Sequence, residues 1–335
     1  MSVTTYGSIS QRTAAWASTE MLSRAMPIEC AARFALSKPI PKSTAEGASF
    51  RRAIPFPPAT TPLTEGITPA GRAIQYENVN VTLAQYGDYV EITDKVVDQA
   101  EDPVLKDASQ LCGEQAAETI ETLLWGVLRA GTAFAQTNGG TARSSINTAL
   151  TGANGLTLLR NASRVLKAQR ARMVTEMLKG STDYLTTPVA AGWVAMGHTD
   201  FETDLRGIPG FTPVELYGQA MKALPYEVGK VDNFRFVLSP VFAPFFGAGS
   251  GTLNGMRSAG GTNVDVYPLV IVGKESYANV ALRGSRAMTP MVLNPNTPRG
   301  GDPLGQRGSV GWKTYYAGLR LNESWMYRLD CGVTN

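Results

Sequence analysis

Few residues in this sequence have the side chains needed for acid–base or nucleophilic chemistry. His198 is the single histidine among the 335 residues, and it follows an apolar run that ends at Gly197. No GxSxG sequence supplies a serine nucleophile for it. His198-Thr199-Asp200 has instead the residue types that cap the start of a helix. We therefore predict a structural role for His198 and no catalytic residue in the chain.

Metal and cofactor motifs are missing as well. The chain has three widely separated cysteines, which are Cys30, Cys112 and Cys331. Their spacing matches neither a zinc site nor a redox pair, and it fits a reducing compartment. Asp200, Glu202 and Asp204 alternate in a predicted short helix, where they would not converge on one ion. We expect no metal and no cofactor.

The composition favours a chain whose surface is covered by other protein. Only 18% of the residues are charged and the net charge is +3, while glycine (34) and proline (20) are frequent. A typical soluble domain has about 25% charged residues. The sequence shows no secretory signal, and its most apolar window, 234–248, is too short to span a bilayer. We expect a cytoplasmic protein with no membrane contact.

One long helix is predicted over 101–135. Asp102 and Pro103 are typical of a helix start. Behind them an apolar stripe recurs at steps of three and four residues, and it comprises Leu105, Ala108, Cys112, Ala116, Ile120, Leu123 and Val127. Glu114, Glu118 and Glu121 recur at the same steps on another face. Such a helix would be about 45–50 Å long.

The regions before this helix are predicted to be extended. Residues 1–45 have the composition of an arm, with one helix at 11–24, and their aromatic rings either fold back on the chain or lie across a neighbour. Residues 46–95 read as two limbs, 50–56 and 74–93, with a kink at Gly87 and a long connection at 57–72. The limbs belong either to a larger sheet or to a loop that projects onto another molecule.

A second helix and a strand-rich region are predicted after the long helix. The second helix, 157–179, is basic through residues that include Arg160, Arg164 and Lys167. These side chains could be solvated, could pair with the acidic first helix or could contact phosphate. Buried strands are expected at 193–196, 234–238 and 268–272, a short helix at 199–206, and a flexible glycine-rich loop at 247–261 that lacks the features of a phosphate-binding loop. Two terminal strands, 312–321 and 323–330, should meet at Asn322.

The order of these parts resembles the major capsid protein of tailed bacteriophages, which has the Hong Kong 97-type (Johnson) coat fold. The resemblance is greater to the schitovirus-type podophage family. The stretches that carry it extend over nearly the whole chain: Thr5–Ala14, Phe50–Arg52, Thr60–Gly66, Gln85–Asp88, Glu101–Leu105, Gly210–Val214, Gly311–Lys313 and Leu321–Trp325. None of them is a catalytic signature.

The resemblance implies an α+β fold with a fixed division of the chain. It comprises an N-terminal arm (1–45), an extended β-hairpin loop (46–95), a peripheral domain (96–186) with its spine helix (101–135), an axial domain with a mixed sheet (187–305) and terminal strands that return to the peripheral domain (306–335). In this fold the extended loop lies over an adjacent subunit.

The implied function is that of a shell subunit. Copies of the chain would assemble as pentamers and hexamers into an icosahedral head that encloses double-stranded DNA without sequence specificity. Further partners would be a portal protein and scaffolding and decoration proteins. The protein would be made in the bacterial host cytoplasm and end in the virion. The alternatives are a nanocompartment shell and an oligomeric binding protein.

Specific residues follow from this interpretation. Arg51, Arg52, Phe56 and Glu65 are expected at contacts between subunits, because they lie on the extended loop. Arg160, Arg164 and Lys167 are expected either in internal charge pairs or at the genome.

Overall fold

The structure, a computed structural model, describes residues 29–41, 46–63, 65–66, 68, 70–99, 104–175, 191–217, 224–281, 289–293, 295, 298 and 300–335. Helices and strands are mixed along the chain. The helices are α1 (Asp94–Gln99), α2 (Val104–Leu128), α3 (Gly152–Ala168) and α4 (Glu202–Arg206). The strands are β1 (Leu36–Ser37), β2 (Gly47–Ala53), β3 (Tyr76–Thr82), β4 (Ala84–Thr93), β5 (Phe134–Gln136), β6 (Trp193–Gly197), β7 (Thr212–Pro213), β8 (Glu227–Val231), β9 (Phe234–Leu238), β10 (Tyr267–Val272), β11 (Tyr277–Ala281), β12 (Thr289–Leu293), β13 (Arg307–Arg320) and β14 (Met326–Cys331).

A seven-stranded mixed sheet forms the centre of the molecule, in the order β5-β14-β10-β6-β9-β8-β7. The strands β6, β9 and β10 are buried along their whole length. Strands that are covered on both faces read as continuous apolar runs, which is why the sequence predicts these three correctly.

The two faces of the seven-stranded sheet carry different helices. Leu159, Ala162 and Leu166 of α3 pack on the face that includes Phe236 and Ile271. On the other face, Leu124, Trp125 and Leu128 at the end of α2 pack against residues that include Val237 and Val270. Consecutive residues of a strand point to opposite faces. The helices α2 and α3 therefore lie on opposite sides of one sheet.

The long helix is shorter than predicted. It ends at Leu128, and Phe134–Gln136 is a strand parallel to β14 rather than part of the helix. At 25 residues α2 is about 37 Å long. The proposed start residues Asp102 and Pro103 lie outside the described residues. The prediction fails at the C-terminal end because Gly131 and Thr132 interrupt the helix, and Thr132 hydrogen-bonds to the Glu323 carboxylate instead.

Glu121 is fully buried, although its spacing places it with Glu114 and Glu118 on a face away from the apolar stripe. Its carboxylate oxygens accept hydrogen bonds from the backbone N–H groups of Cys30, Ala31 and Ala32 at 2.9, 3.0 and 3.0 Å. The Tyr277 hydroxyl donates to the carbonyl of Ala31 at 2.6 Å. Residues 29–34 thus fold back on their own chain, so this part of the arm packs on its own subunit and does not need a neighbour to cover it. The predicted helix at 11–24 lies outside the described residues.

A second sheet is built around β13. The strand β13 pairs with β4 along ten residues, with β12 near its start and with β11 near its end, and β11 also pairs with β1. The first half of α2 packs on this sheet through a cluster of apolar side chains that includes Ala108, Cys112, Ala116, Ile92, Val310 and Trp312. The two terminal strands do not form a hairpin, because β14 lies in the seven-stranded sheet.

The second helix also ends earlier than predicted, at Ala168. Arg170 adopts the left-handed conformation (φ 54°), which breaks the helix. At the helix end, the backbone carbonyls of Val165 and Lys167 accept the N–H of Gln169. Residues 171–175 are not helical, and 176–179 lie outside the described residues.

The glycine-rich loop 247–261 is held to the rest of the fold. The Asp265 carboxylate accepts hydrogen bonds from the N–H groups of Gly247 (2.7 Å) and Ala259 (2.6 Å). The backbone N–H of Ser250, within the loop, donates to the carbonyl of Ile146 at 2.9 Å. One buried carboxylate outside the loop thus organises its backbone, and the flexibility expected for the loop stays a prediction.

Candidate assembly interface

The strands β2 and β3 form a two-stranded ribbon, and among the described residues they pair with no other strand. The apolar side chains near its base, Phe50, Val79 and Val81, pack against a small core that contains Ala278 and Val280. The kink predicted at Gly87 is wrong. The chain changes sheets at Leu83, whereas β4 stays in register with β13 through Gly87.

Arg51 and Arg52 stabilise the ribbon itself. Arg52 forms an ion pair with Glu77 on the opposite strand, at 2.7 Å, and both side chains are about half exposed. Arg51 donates to the Asn78 side chain at 3.0 Å, and its guanidinium lies 5.2 Å from the centre of the Tyr76 ring. Exposed pairs of this kind contribute little free energy each, so they align the two limbs more than they stabilise the fold.

The far half of the ribbon, 54–75, exposes apolar side chains to solvent; we refer to it as the tip. Leu63 is 77% exposed and Phe56 is 54% exposed, and further exposed apolar side chains are Ile54 and Ile74, with Tyr76 directly after the tip at the start of β3. Glu65 is exposed in a turn of the tip. A monomeric protein rarely places several large apolar side chains on one projecting segment, so such a segment is typical of a protein contact.

Two of the four predicted contact residues, Phe56 and Glu65, thus lie at the tip. The other two, Arg51 and Arg52, contact side chains of the opposite strand of the ribbon. The sequence reading missed Leu63, Ile74 and Tyr76. The alternation of Ile74 and Tyr76 with the polar Gln75 and Glu77 was a usable signal for an exposed limb, whereas Leu63 lies inside the proline-rich connection.

A second exposed apolar surface lies on the outer face of the β13 sheet. Gly311 pairs with Tyr89 on β4 and with Met291 on β12, and both neighbours are at least half exposed. A Cβ atom on Gly311 would come within 2.6 Å of the Tyr89 Cβ. The glycine therefore forms the floor of a shallow trough whose sides are apolar. Sequence reasoning could not find this trough, because it depends on which three strands are neighbours.

His198 has the capping geometry that the sequence predicts. Its Nδ1 accepts the backbone N–H of Asp200 at 3.1 Å, at the start of the short helical segment 199–206. Burial lowers the pKa of His198, so the imidazole is neutral at pH 7. The Asp200 carboxylate accepts a hydrogen bond from the Tyr267 hydroxyl and forms an ion pair with Arg257, each at 2.8 Å. Asp200, Tyr267 and Arg257, the polar groups near the imidazole, are thus engaged with one another in contacts that hold this segment in place.

No cluster of three or more His, Cys, Asp or Glu side chains in the described ranges could hold a metal ion. No helix in the same part of the chain is long and apolar enough to cross a membrane.

The described architecture, with a spine helix, a projecting ribbon and two sheets, is the fold of phage capsid proteins. The capsid protein of Ralstonia phage GP4 superposes with a TM-score of 0.65 at 9% identity, over 90% of this chain and 88% of that chain. The capsid protein of cyanophage P-SCSP1u gives 0.59 at 14% identity, over 90% and 87%. The α+β fold of the Hong Kong 97 type is thereby confirmed.

Sequence comparison identifies the family. The phage capsid protein family matches residues 76–328, which is most of the chain, and this protein belongs to that family. The major capsid protein of Pseudomonas phage KPP21 is 22% identical over 130 residues, a segment that spans 37% of this chain and 33% of that protein.

Proposed function

We propose that this protein is the major shell subunit of a tailed phage and that it assembles through pentamers and hexamers into the closed icosahedral head around double-stranded DNA. The observation that carries the proposal is the tip, which exposes Phe56 and Leu63 on a ribbon with no further strand beside it among the described residues. In a member of the phage capsid protein family, a neighbouring subunit is the surface that would cover these side chains.

The proposal includes the roles of the chain segments. Residues 1–45 would be the arm, 46–95 the extended loop, 96–186 the peripheral domain, 187–305 the axial domain and 306–335 the terminal strands. At the tip, Phe56 and Glu65 would contact the next subunit directly, whereas Arg51 and Arg52 would keep the ribbon straight. The role is structural, without an active site. The protein would be made in the host cytoplasm and end in the virion.

Each contact in such a shell would be modest, and the shell would gain its stability from many of them. Association costs several kcal/mol in lost translational and rotational freedom, so single weak contacts can reopen during assembly while a closed network cannot. A portal protein, scaffolding protein and decoration protein are further proposed partners.

The proposal is tested by expressing the full chain alone and with a candidate scaffolding protein from the same genome, and examining purified material by electron microscopy. We expect closed particles, or rings of five and six subunits. A protein that remains a monomer at high concentration in both preparations, with the tip protected from proteolysis, would contradict the proposal. Particles that carry a specific protein cargo instead of DNA would favour the nanocompartment alternative.

A further inference from the structure

The outer side of α3 is a basic surface, which we define by Arg160, Arg164, Lys167 and Arg170. No residue of Gly152–Ala168 is acidic. Arg160, Arg164 and Lys167 recur at steps of four and three residues, so they lie on one face of the helix, opposite the buried Leu159, Ala162 and Leu166. Arg170 follows directly and is also exposed.

Most of this positive charge is not neutralised by the protein. Arg160 pairs with Asp232 at 3.0 Å, in the turn between β8 and β9, and not with a glutamate of α2. Both of these side chains are about half exposed or more, so the pair is weak. Arg164, Lys167 and Arg170 form no ion pair with any carboxylate in the part of the chain that the structure describes. The basic surface is therefore available to an anionic partner.

The first half of α2 has the opposite charge. This half packs on the β13 sheet, and it carries Asp107, Glu114 and Glu118 outside its apolar stripe, against one lysine, Lys106. A polyanion would be attracted to α3 and repelled by this half of α2. The two helices thus differ in their expected affinity for nucleic acid.

From these contacts and charges we infer that the basic surface of α3 contacts the sugar-phosphate backbone of packaged double-stranded DNA, and that the α3 side of the sheet faces the interior of the shell. The inference rests on the proposed shell function and adds the orientation of the subunit. Contacts by arginine and lysine to phosphate carry no sequence information, which suits a shell that must accept any part of a genome. Each subunit adds few contacts, and the number of subunits multiplies them.

The inference is tested with the double variant R164Q/K167Q, which removes two charges and keeps good helix formers. The control is K95Q/K106Q, which removes two exposed lysines on α1 and α2. Binding of the unassembled subunit to a random 30-base-pair duplex is measured by fluorescence anisotropy at several salt concentrations. Each phosphate contact contributes about 0.9 to the slope of log K against log salt, so R164Q/K167Q should reduce the slope by about 1.8 and weaken binding at low salt roughly tenfold. The control should change neither.

The same variants separate this inference from the proposed function. If wild-type shells form and R164Q/K167Q binds the duplex as the wild type does, the inference is overturned and the proposed function stands. If no shells form in any preparation, the proposed function itself fails. An electron microscopy map of the assembled shell gives the orientation directly: α3 on the lumenal side supports the inference, and α3 on the outer side overturns it.

Discussion

Deletion of residues 57–72 is expected to abolish shell formation while the subunit stays folded. The deletion removes the exposed Leu63 and Glu65 but leaves β2 and β3, whose pairing runs from Gly47–Thr82 to Ala53–Tyr76. The hydrogen bond from Ile54 N–H to the Gln75 carbonyl, at 2.9 Å, closes the shortened ribbon. Because the tip carries exposed apolar surface rather than core, its loss should cost contacts between subunits and almost no folding free energy.

Two measurements distinguish these effects. Electron microscopy reports assembly, and the fluorescence of the buried Trp125 and Trp193 reports the fold of the subunit. The single variant Phe56→Ser changes a tip residue that the deletion keeps, and it should reduce the yield of particles without changing the tryptophan spectrum. Particles of normal size and yield from the deletion variant would show that the tip is not an assembly contact.

The parts of the fold that the sequence predicts well are those with a strong local pattern. β6 and β10 are continuous apolar runs, and β9 departs from one only at Arg235, because helices cover both faces of the sheet. The ribbon limbs alternate because they are strands. Helix ends were predicted less well. α2 stops at Leu128, a few residues before Gly131 and Thr132, and Phe134–Gln136 pairs with β14 instead of continuing the helix. Such a tertiary contact leaves no local signal.

In the candidate interface, too, the features with a local sequence pattern could be predicted and those that depend on tertiary contacts could not. Phe56 and Glu65 could be predicted, because a long proline-rich connection between two strands is a local feature. The trough around Gly311 and the choice of Asp232 as the partner of Arg160 could not, because both depend on strand neighbours far apart in sequence. Glu121 is the clearest case. Its periodicity places it with Glu118 on an acidic face, yet residues 29–34 return to cover it, and its burial follows from a contact across about ninety residues.

Replacing Glu121 should detach the arm segment 29–34 from α2. The change Glu121→Ala leaves three buried backbone N–H groups, those of Cys30, Ala31 and Ala32, without their acceptor. An unsatisfied buried donor costs about 1–3 kcal/mol, and partial relaxation toward water should bring the total to about 3–5 kcal/mol. The measurement is urea unfolding of the unassembled subunit, followed by tryptophan fluorescence. The isosteric Glu121→Gln keeps one acceptor oxygen and should cost about 1–2 kcal/mol.

The pH dependence of this effect has a definite sign. Burial raises the pKa of Glu121 above its ordinary value, opposed by the three backbone N–H groups, and the charge of Glu29 raises it further. The folded state therefore holds the proton more tightly than the unfolded chain, so the wild type loses stability as pH rises from about 4.3 through the raised pKa. Glu121→Gln has no such proton, and its deficit against the wild type should shrink over that range. Parallel stability curves for the two proteins from pH 4 to pH 8 would show that the Glu121 carboxylate ionises in the folded state as readily as it does in water. The three N–H donors would then balance the effect of burial on the pKa, and the arm would be anchored by an ionised carboxylate at neutral pH.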